Sequence, residues 1–188
     1  MLRETLKEKT FAAHQKTEGT VIRKIKKVNS EADYIELLKC FYSYFNAVEK
    51  EIAPYITSEV LPDLAERRDS RYVVADIEEL GGSMDNLPPV TAPEINDTLE
   101  ALSAMYVLEG SLMGGPYIVK MLEKRGIERG FSFFKGYGEN SHKMLGSFMQ
   151  VLNEQGAIHD NTDRAVEVAN QTFQNFGEVF QTLSEVNQ

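Results

Sequence analysis

Apolar residues recur at three- and four-residue steps along most of the chain, which is the period of an amphipathic α-helix. The clearest stretch begins at Ser30, which forms a capping box with Asp33, although Asp stands where Glu or Gln is usual. This stretch predicts one helix that ends near Pro54. Its apolar positions are Tyr34, Leu37, Leu38, Phe41, Phe45, Val48 and Ile52.

A second capping box, Thr91 with Glu94, predicts the start of another helix, and Pro93 suits its first turn. This helix is expected to continue through a glycine-bearing segment as far as Leu122. Its apolar positions are Ile95, Leu99, Leu102, Met105, Tyr106, Ile118 and Leu122.

The same period predicts a C-terminal helix after Asp160 and Asn161, and two further helices at 70–80 and 141–154. The C-terminal apolar positions are Val166, Ala169, Phe173, Phe176, Phe180 and Leu183. The segments 81–93 and 126–140 are expected to be irregular. Strand patterns are weak and nothing divides the chain, so we expect an all-α fold of six to eight helices in one domain over residues 1–188.

Composition and charge narrow the class of protein. The 188 residues are 42% hydrophobic and carry a net charge of −9, which argues against nucleic-acid binding. The basic run 23–27 is expected to be a solvated edge. Cys40 is the one cysteine, so no disulfide can form within the chain, and it is expected to be buried. No stretch resembles a signal peptide or a membrane span, which predicts a cytoplasmic protein without a membrane anchor.

Three histidines are present, and His14 is the one with a suggestive neighbourhood. Thr10, His14 and Glu18 follow at four-residue steps on the expected first helix, so they share one face. A carboxylate one turn away could accept one ring N–H and leave the other nitrogen free to bind a metal. Most helix histidines are ordinary surface or core residues, so the spacing alone leaves both interpretations open.

Gly110, Gly114 and Gly115 lie inside an otherwise amphipathic helix, followed by Pro116. Each glycine costs up to about 1 kcal/mol relative to alanine in a helix. Such a segment is typical of close helix packing, or of a place where something flat lies against the backbone. The pattern leaves these two explanations open.

Glu139 and His142 have the Glu-x-x-His spacing of carboxylate-bridged di-iron sites. Such sites need two of these pairs and two more glutamates, and the chain has one pair, so a di-iron oxidase is not expected. Dinucleotide and phosphate-loop motifs are absent from the sequence.

Four segments together resemble the haem oxygenase family. Leu6-Lys7-Glu8-x-Thr10-x-x-x-His14-x-x-x-Glu18 is similar to the family's proximal helix, and residues 106–115 are similar to its distal helix. Residues 41–51 resemble the second helix, and 131–134 resemble the segment after the distal helix. The segments follow in the family's order over nearly the whole chain.

On the proximal side, the resemblance implies that His14 binds the haem iron and that Glu18 is its carboxylate partner. Lys7, and from the opposite side Lys143, would reach the haem propionates.

On the distal side, the resemblance implies that Gly110, Ser111 and Gly114 form the catalytic face and that Gly115 also lines the haem. Ser111 is a departure, because many family members have an aspartate there. Some bacterial members also lack that acid.

The implied reaction is the oxygen-dependent cleavage of haem to biliverdin, carbon monoxide and ferrous iron, with haem as both cofactor and substrate. Electrons would come from a separate reductase or ferredoxin, because the chain has no flavin or nicotinamide motif. A haem carrier without turnover is one alternative. Another is a fold relative acting on a different small molecule, such as a thiaminase-like enzyme, which needs a cysteine–carboxylate site. A plain helical interaction module is the third.

Overall fold

Nine α-helices and three short 3₁₀ segments make up the part of the chain that the computed structural model describes, residues 1–159 and 161–185, with side chains as far as residue 181. No strand occurs in these residues, which confirms the all-α prediction. The helices are α1 (Leu2–Lys9), α2 (Phe11–Ile25), α3 (Glu31–Ile52), α4 (Arg71–Glu79), α5 (Thr98–Gly110), α6 (Gly115–Glu123), α7 (Ser132–Lys135), α8 (Ser141–Ile158) and α9 (Thr162–Glu185). The 3₁₀ segments are Leu64–Glu66, Ser111–Met113 and Gly138–Asn140.

Helix α3 confirms the prediction at both ends. The Ser30 hydroxyl accepts a hydrogen bond from the Asp33 N–H at 3.1 Å, and the Asp33 carboxylate accepts from the Asn29 N–H at 2.9 Å. Every predicted apolar position of α3 is buried. The helix packs against α4, α5 and α9 and therefore runs through the core.

The predicted start of the helix after Thr91 is wrong, because α5 begins at Thr98. The N-cap is Asp97, whose carboxylate accepts from the Glu100 N–H at 2.8 Å. Glu100 in turn accepts from the Asn96 N–H at 2.9 Å, an arrangement that resembles a capping box. The cap therefore lies six residues after Thr91. Pro93 instead lies buried in the irregular segment before α5.

His14 lies on the second helix rather than the first, because the chain breaks at Thr10. Thr10 has φ −102° and ψ 0°, and its hydroxyl donates to the Leu6 carbonyl at 2.8 Å, which competes with the regular helical bond. The backbone N–H groups of Thr10 and His14 still bond four residues back, to Leu6 and Thr10. The four-residue spacing around His14 is therefore kept across the break.

The long helix predicted through the glycines is also interrupted. Residues Ser111–Met113 form a 3₁₀ turn that separates α5 from α6. Pro116 falls in the first turn of α6, where a missing backbone N–H costs nothing. The two breaks explain why the described chain has more helices than expected.

Helix α7 lies inside the segment 126–140 that was expected to be irregular. The Asp76 carboxylate accepts hydrogen bonds from the Ser132 N–H at 2.8 Å and the Phe133 N–H at 2.9 Å, and so caps α7. Helix α7 packs against α4 and α6. This places it directly behind the start of α6.

The remaining predicted helices correspond to α4, α8 and α9, with α8 continuing to Ile158. Of the positions expected near the C-terminal helix, Asp160 and the side chain of Leu183 lie outside the described residues. Among the described helices, none is both long and apolar enough to cross a membrane.

Candidate functional site between α2 and the bend after α5

His14 is exposed in the first turn of α2. Its ring meets the edge of the Phe173 ring on α9, with centroids 5.4 Å apart and planes at 73°. The Thr17 hydroxyl donates to the Phe173 carbonyl at 2.8 Å and ties α2 to α9 at this point. Glu18 is also exposed one turn further along α2, but no hydrogen bond joins it to His14 in the described chain. The role of Glu18 as carboxylate partner of His14 stays a prediction.

Gly110 and Gly114 are exposed and have ordinary helical backbones, with φ of −60° and −82°. A Cβ on Gly110 would have no neighbour within 4 Å, and one on Gly114 would meet only the Ser111 carbonyl oxygen at 3.6 Å. Neither helix packing nor a left-handed backbone requires glycine at these two positions. The absence of side chains at Gly110 and Gly114 leaves open space on this face of the segment.

Gly115 has a different environment. It is buried, and a Cβ would lie 1.9 Å from the Phe134 carbonyl oxygen of α7. Packing of α6 against α7 therefore accounts for this glycine. Its expected contact with haem stays a prediction.

The two segments that carry these residues are joined at both ends. Near the start of α2, the Tyr106 side chain of α5 reaches Thr10, whose hydroxyl offsets part of the rise that burial causes in the pKa of Tyr106. At the far end α2 packs against α6, where Ile25 and Met121 line one surface cavity. His14 follows the first junction by one turn on α2, and Gly110 follows it by one turn on α5. Both segments expose their predicted site residues between the two junctions.

Ser111 turns towards the protein interior. Its hydroxyl donates to the Leu108 carbonyl at 2.6 Å and accepts from Arg68 Nη2 at 2.9 Å. Arg68 is only 8% exposed, and it also donates to the carbonyls of Phe133 and Leu108, at 2.9 and 3.2 Å. Its guanidinium lies over the Phe133 ring, 4.1 Å from the centroid. Burial lowers the pKa of Arg68, and the nearby carboxylate of Glu109 offsets part of this effect.

A second buried arginine, Arg67, holds the same part of α5 through ion pairs. It binds both oxygens of Asp63 at 2.8 Å and Glu109 at 2.7 Å. The other Glu109 oxygen accepts from the Tyr137 hydroxyl at 3.3 Å. Burial raises the pKa of Glu109 despite these partners. Ion pairs therefore anchor α5 at Glu109, two residues before the bend.

A cavity of about 480 Å³ lies beside this part of α5. Glu49, Arg67, Arg68 and Glu109 line it together with apolar side chains. The Glu49 carboxylate accepts from the N–H and the hydroxyl of Ser70, at 2.8 and 2.5 Å. Burial nevertheless raises its pKa to about 7.

Sequence reasoning missed this buried polar cluster. Glu109 was the visible signal, because a carboxylate between Leu108 and Gly110 on a buried helix needs a cationic partner. The identity of that partner could not be read from the sequence, because Arg67 and Arg68 lie some forty residues earlier in the chain.

Lys7 lies exposed in the last turn of α1, and Lys143 lies exposed in the first turn of α8. In the described chain neither forms an ion pair with a carboxylate. Their expected contact with propionates stays a prediction. His142 is likewise exposed, and no three His, Cys, Asp or Glu side chains gather into a metal site among the residues that the structure describes.

A model of the family described as Heme oxygenase matches residues 1–182. The chain belongs to the haem oxygenase family. The match covers all four segments whose patterns resemble that family, from the His14 segment to the residues after the bend.

Solved structures show that the haem oxygenase fold extends over nearly the whole chain. The haem oxygenase of Neisseria meningitidis, solved with NO and CO bound, superposes with a TM-score of 0.78 at 20% identity and covers 97% of this chain and 91% of its own. Haem oxygenase-1 of the cyanobacterium Synechocystis, solved in complex with haem, gives 0.70 at 20% identity and covers 98% and 92%. A TenA homologue from Pyrococcus furiosus gives 0.63 at 16% identity and covers 96% and 98%. The search of curated proteins finds no match.

Proposed function

We propose that this protein is a haem oxygenase that binds haem between α2 and the bend after α5 and cleaves it to biliverdin, carbon monoxide and ferrous iron. Molecular oxygen is the second substrate, and a separate reductase or ferredoxin supplies electrons. Family membership supports haem as the substrate.

The observation that carries the proposal is the pair of open glycines at the bend, together with an exposed histidine on α2, the helix that packs against α6. Gly110 and Gly114 lower helix stability and satisfy no packing or backbone requirement. A flat macrocycle lying against the backbone would explain both glycines. Haem needs the open space at these positions, and a side chain on either glycine would fill it.

Each residue then has a defined part. His14 binds the iron from α2, and the Phe173 ring limits how its imidazole turns. Glu18 faces the same solvent-exposed side of α2 and acts as its carboxylate partner when haem is present. Lys7 and Lys143 bind the propionates as point charges, which leaves orientation mainly to the pocket walls.

On the other side, Gly110, Gly114 and the backbone of Ser111 form the distal face, while the Ser111 hydroxyl is turned to the interior. Haem, when bound, supplies the iron that activates oxygen as well as the ring that is cleaved. The distal segment has no histidine that would compete with oxygen for the iron. The backbone at Gly110 and Gly114 would limit the room in which oxygen binds.

A fold relative acting on another small molecule is the second candidate, because the fold also matches a TenA homologue. A cysteine–carboxylate site is what that alternative needs. Cys40 is fully buried, its thiol donates to the Glu36 carbonyl, and burial raises its pKa to about 12. A thiol so protected is a poor nucleophile. The burial of Cys40 therefore argues against this second candidate.

Titration of the purified protein with haemin tests the proposal. We expect binding near one to one, with a histidine-ligated ferric spectrum, and decay of the Soret band when a reductant and oxygen are supplied. A stable Soret band under turnover conditions would indicate a haem carrier. Absence of any haem spectrum would contradict both and favour an interaction module or another substrate.

The His14→Ala variant assigns the iron ligand. It should lose the iron–imidazole signature while keeping some apolar affinity for haem, and added imidazole should restore the spectrum. His142→Ala is the matched control, because His142 is also exposed at the start of a helix. An unchanged spectrum in His14→Ala, or equal loss in His142→Ala, would contradict the assignment.

A further inference from the structure

Arg68 is a buried cation that forms no ion pair in the described chain. Three neutral oxygens accept its hydrogen bonds: the carbonyls of Phe133 and Leu108 and the hydroxyl of Ser111. A buried charge normally has a carboxylate partner, because desolvation is costly. Its neighbour Arg67 follows that rule with Asp63 and Glu109. An ion pair therefore does not explain why Arg68 is buried.

The three acceptors lie on the two sides of one joint. Leu108 and Ser111 flank the point at which α5 gives way to the 3₁₀ turn, and Phe133 belongs to α7. The next carbonyl of α7, that of Phe134, is the one that faces Gly115 at the start of α6. Arg68 and Gly115 thus fasten the bend to α7 at its two ends.

Two hydrogen bonds fix the orientation of the Ser111 side chain. Its hydroxyl hydrogen is directed to the Leu108 carbonyl at 2.6 Å, and a lone pair accepts from Arg68 at 2.9 Å. The side chain consequently faces the protein interior, while its neighbours Gly110 and Gly114 face open space.

We propose that Arg68 is a positioning residue for the distal face: its guanidinium fixes the bend at Ser111–Met113 and holds the Ser111 hydroxyl away from the ligand side. This inference rests on the proposed function, because it assigns Arg68 a role toward bound haem. It makes Ser111 an anchor of the bend, and the backbone of the bend the surface that haem meets.

Hydrogen exchange of the protein without haem tests the anchor directly. In Arg68→Met, amides of residues 106–118 should exchange roughly tenfold faster than in the wild type, because the bend opens locally when its buried donors are lost. Arg68→Lys should restore part of the protection, since an ammonium reaches some of the acceptors but lacks the planar fork. Tyr44→Phe is the matched control: it removes a buried hydrogen bond to the Thr172 carbonyl, away from the bend. Faster exchange that is uniform along the chain, or equal in Tyr44→Phe, would overturn the proposal.

The haem-loaded protein gives the second measurement. Arg68→Met and Ser111→Ala should shift the pH at which the ferric absorption spectrum changes, in the same direction, and the double variant should shift it no further than Arg68→Met alone. A wild-type pH profile in folded, haem-loaded Arg68→Met would overturn the proposal. If Arg68→Met does not fold, Arg68→Lys and Ser111→Ala are compared instead, and wild-type behaviour in both has the same meaning. If the wild type binds no haem while Arg68→Met still exchanges faster at residues 106–118, the proposed function is overturned. Only the role of Arg68 as an anchor of the bend then remains.

Discussion

Gly114 and Gly115 are neighbours in the chain, yet an added side chain would meet open space at the first and a carbonyl oxygen at the second. The difference arises because the bend turns one residue outward and the next one onto α7. Identical residues at adjacent positions therefore serve ligand access and packing separately.

Two variants separate these roles. Gly114→Leu should change the free energy of unfolding by less than about 0.5 kcal/mol, as for other exposed sites, but should block haem binding or turnover. Gly115→Ala should lower the free energy of unfolding by about 1–3 kcal/mol, because its Cβ would overlap the Phe134 carbonyl. Denaturant unfolding of the haem-free proteins and haemin titration measure the two effects. Loss of stability in Gly114→Leu with normal haem chemistry would contradict this division.

At the scale of the element, the start of α5 shows how two similar signals compete. Thr91 with Glu94 and Asp97 with Glu100 both have the capping-box spacing, and the structure uses the second. The segment before Asp97 is held by contacts from α9: Asn175 donates to the Thr91 carbonyl and Arg164 to the Glu94 carbonyl. These long-range bonds are invisible to a local pattern.

The position of the cap can be tested by substitution. Asp97→Ala should lower the free energy of unfolding by about 1 kcal/mol, because it removes the acceptor for the Glu100 N–H. Thr91→Ala is the control and should have little effect, since the Thr91 side chain is exposed outside the helix. Equal losses in denaturant unfolding would mean that Asp97 is not the residue that starts α5.

The breaks within helices were as hard to predict as the cap. Sequence pattern placed α3 correctly because one apolar face persists from Tyr34 to Ile52. The same pattern could not reveal the break at Thr10, since the apolar and polar spacing continues across it. His14 and the glycines were found because their residue types are unusual in a helix. Arg68 was not, because an arginine becomes exceptional only once the fold buries it.

At the scale of the whole molecule, the buried acids set how stability depends on pH. Burial raises the pKa of Glu49 from 4.5 to about 7, and it also raises those of Glu109 and Asp76. A carboxyl group with a raised pKa binds its proton more tightly in the folded state. The stability linked to that proton is fully present below about pH 4.5 and is lost as the pH rises through 7.

For Glu49 alone this shift corresponds to a loss on the order of 3 kcal/mol between pH 4.5 and pH 8. Glu49→Gln should flatten that part of the profile, because the amide keeps a polar partner for Ser70 without a titrating proton. Denaturant unfolding at a series of pH values between 4.5 and 8 measures the slope. Parallel profiles for wild type and variant would mean that Glu49 titrates near its ordinary pKa.

The open face at Gly110 also sets the stability of the haem-free protein against its affinity for haem. Alanine would fit at this position, since its backbone is helical and no atom stands in the way. Gly110→Ala should therefore raise the free energy of unfolding of the haem-free protein by up to about 1 kcal/mol, and with it the melting temperature. The same methyl group would occupy space reserved for the ligand and weaken haem binding, which competition between the two proteins for limiting haemin would reveal. A stabilised variant that binds haem as well as the wild type would mean that this glycine is not kept for the ligand. Haem binding would restore the stability that the glycine costs, because a ligand that binds only the folded protein stabilises it by mass action.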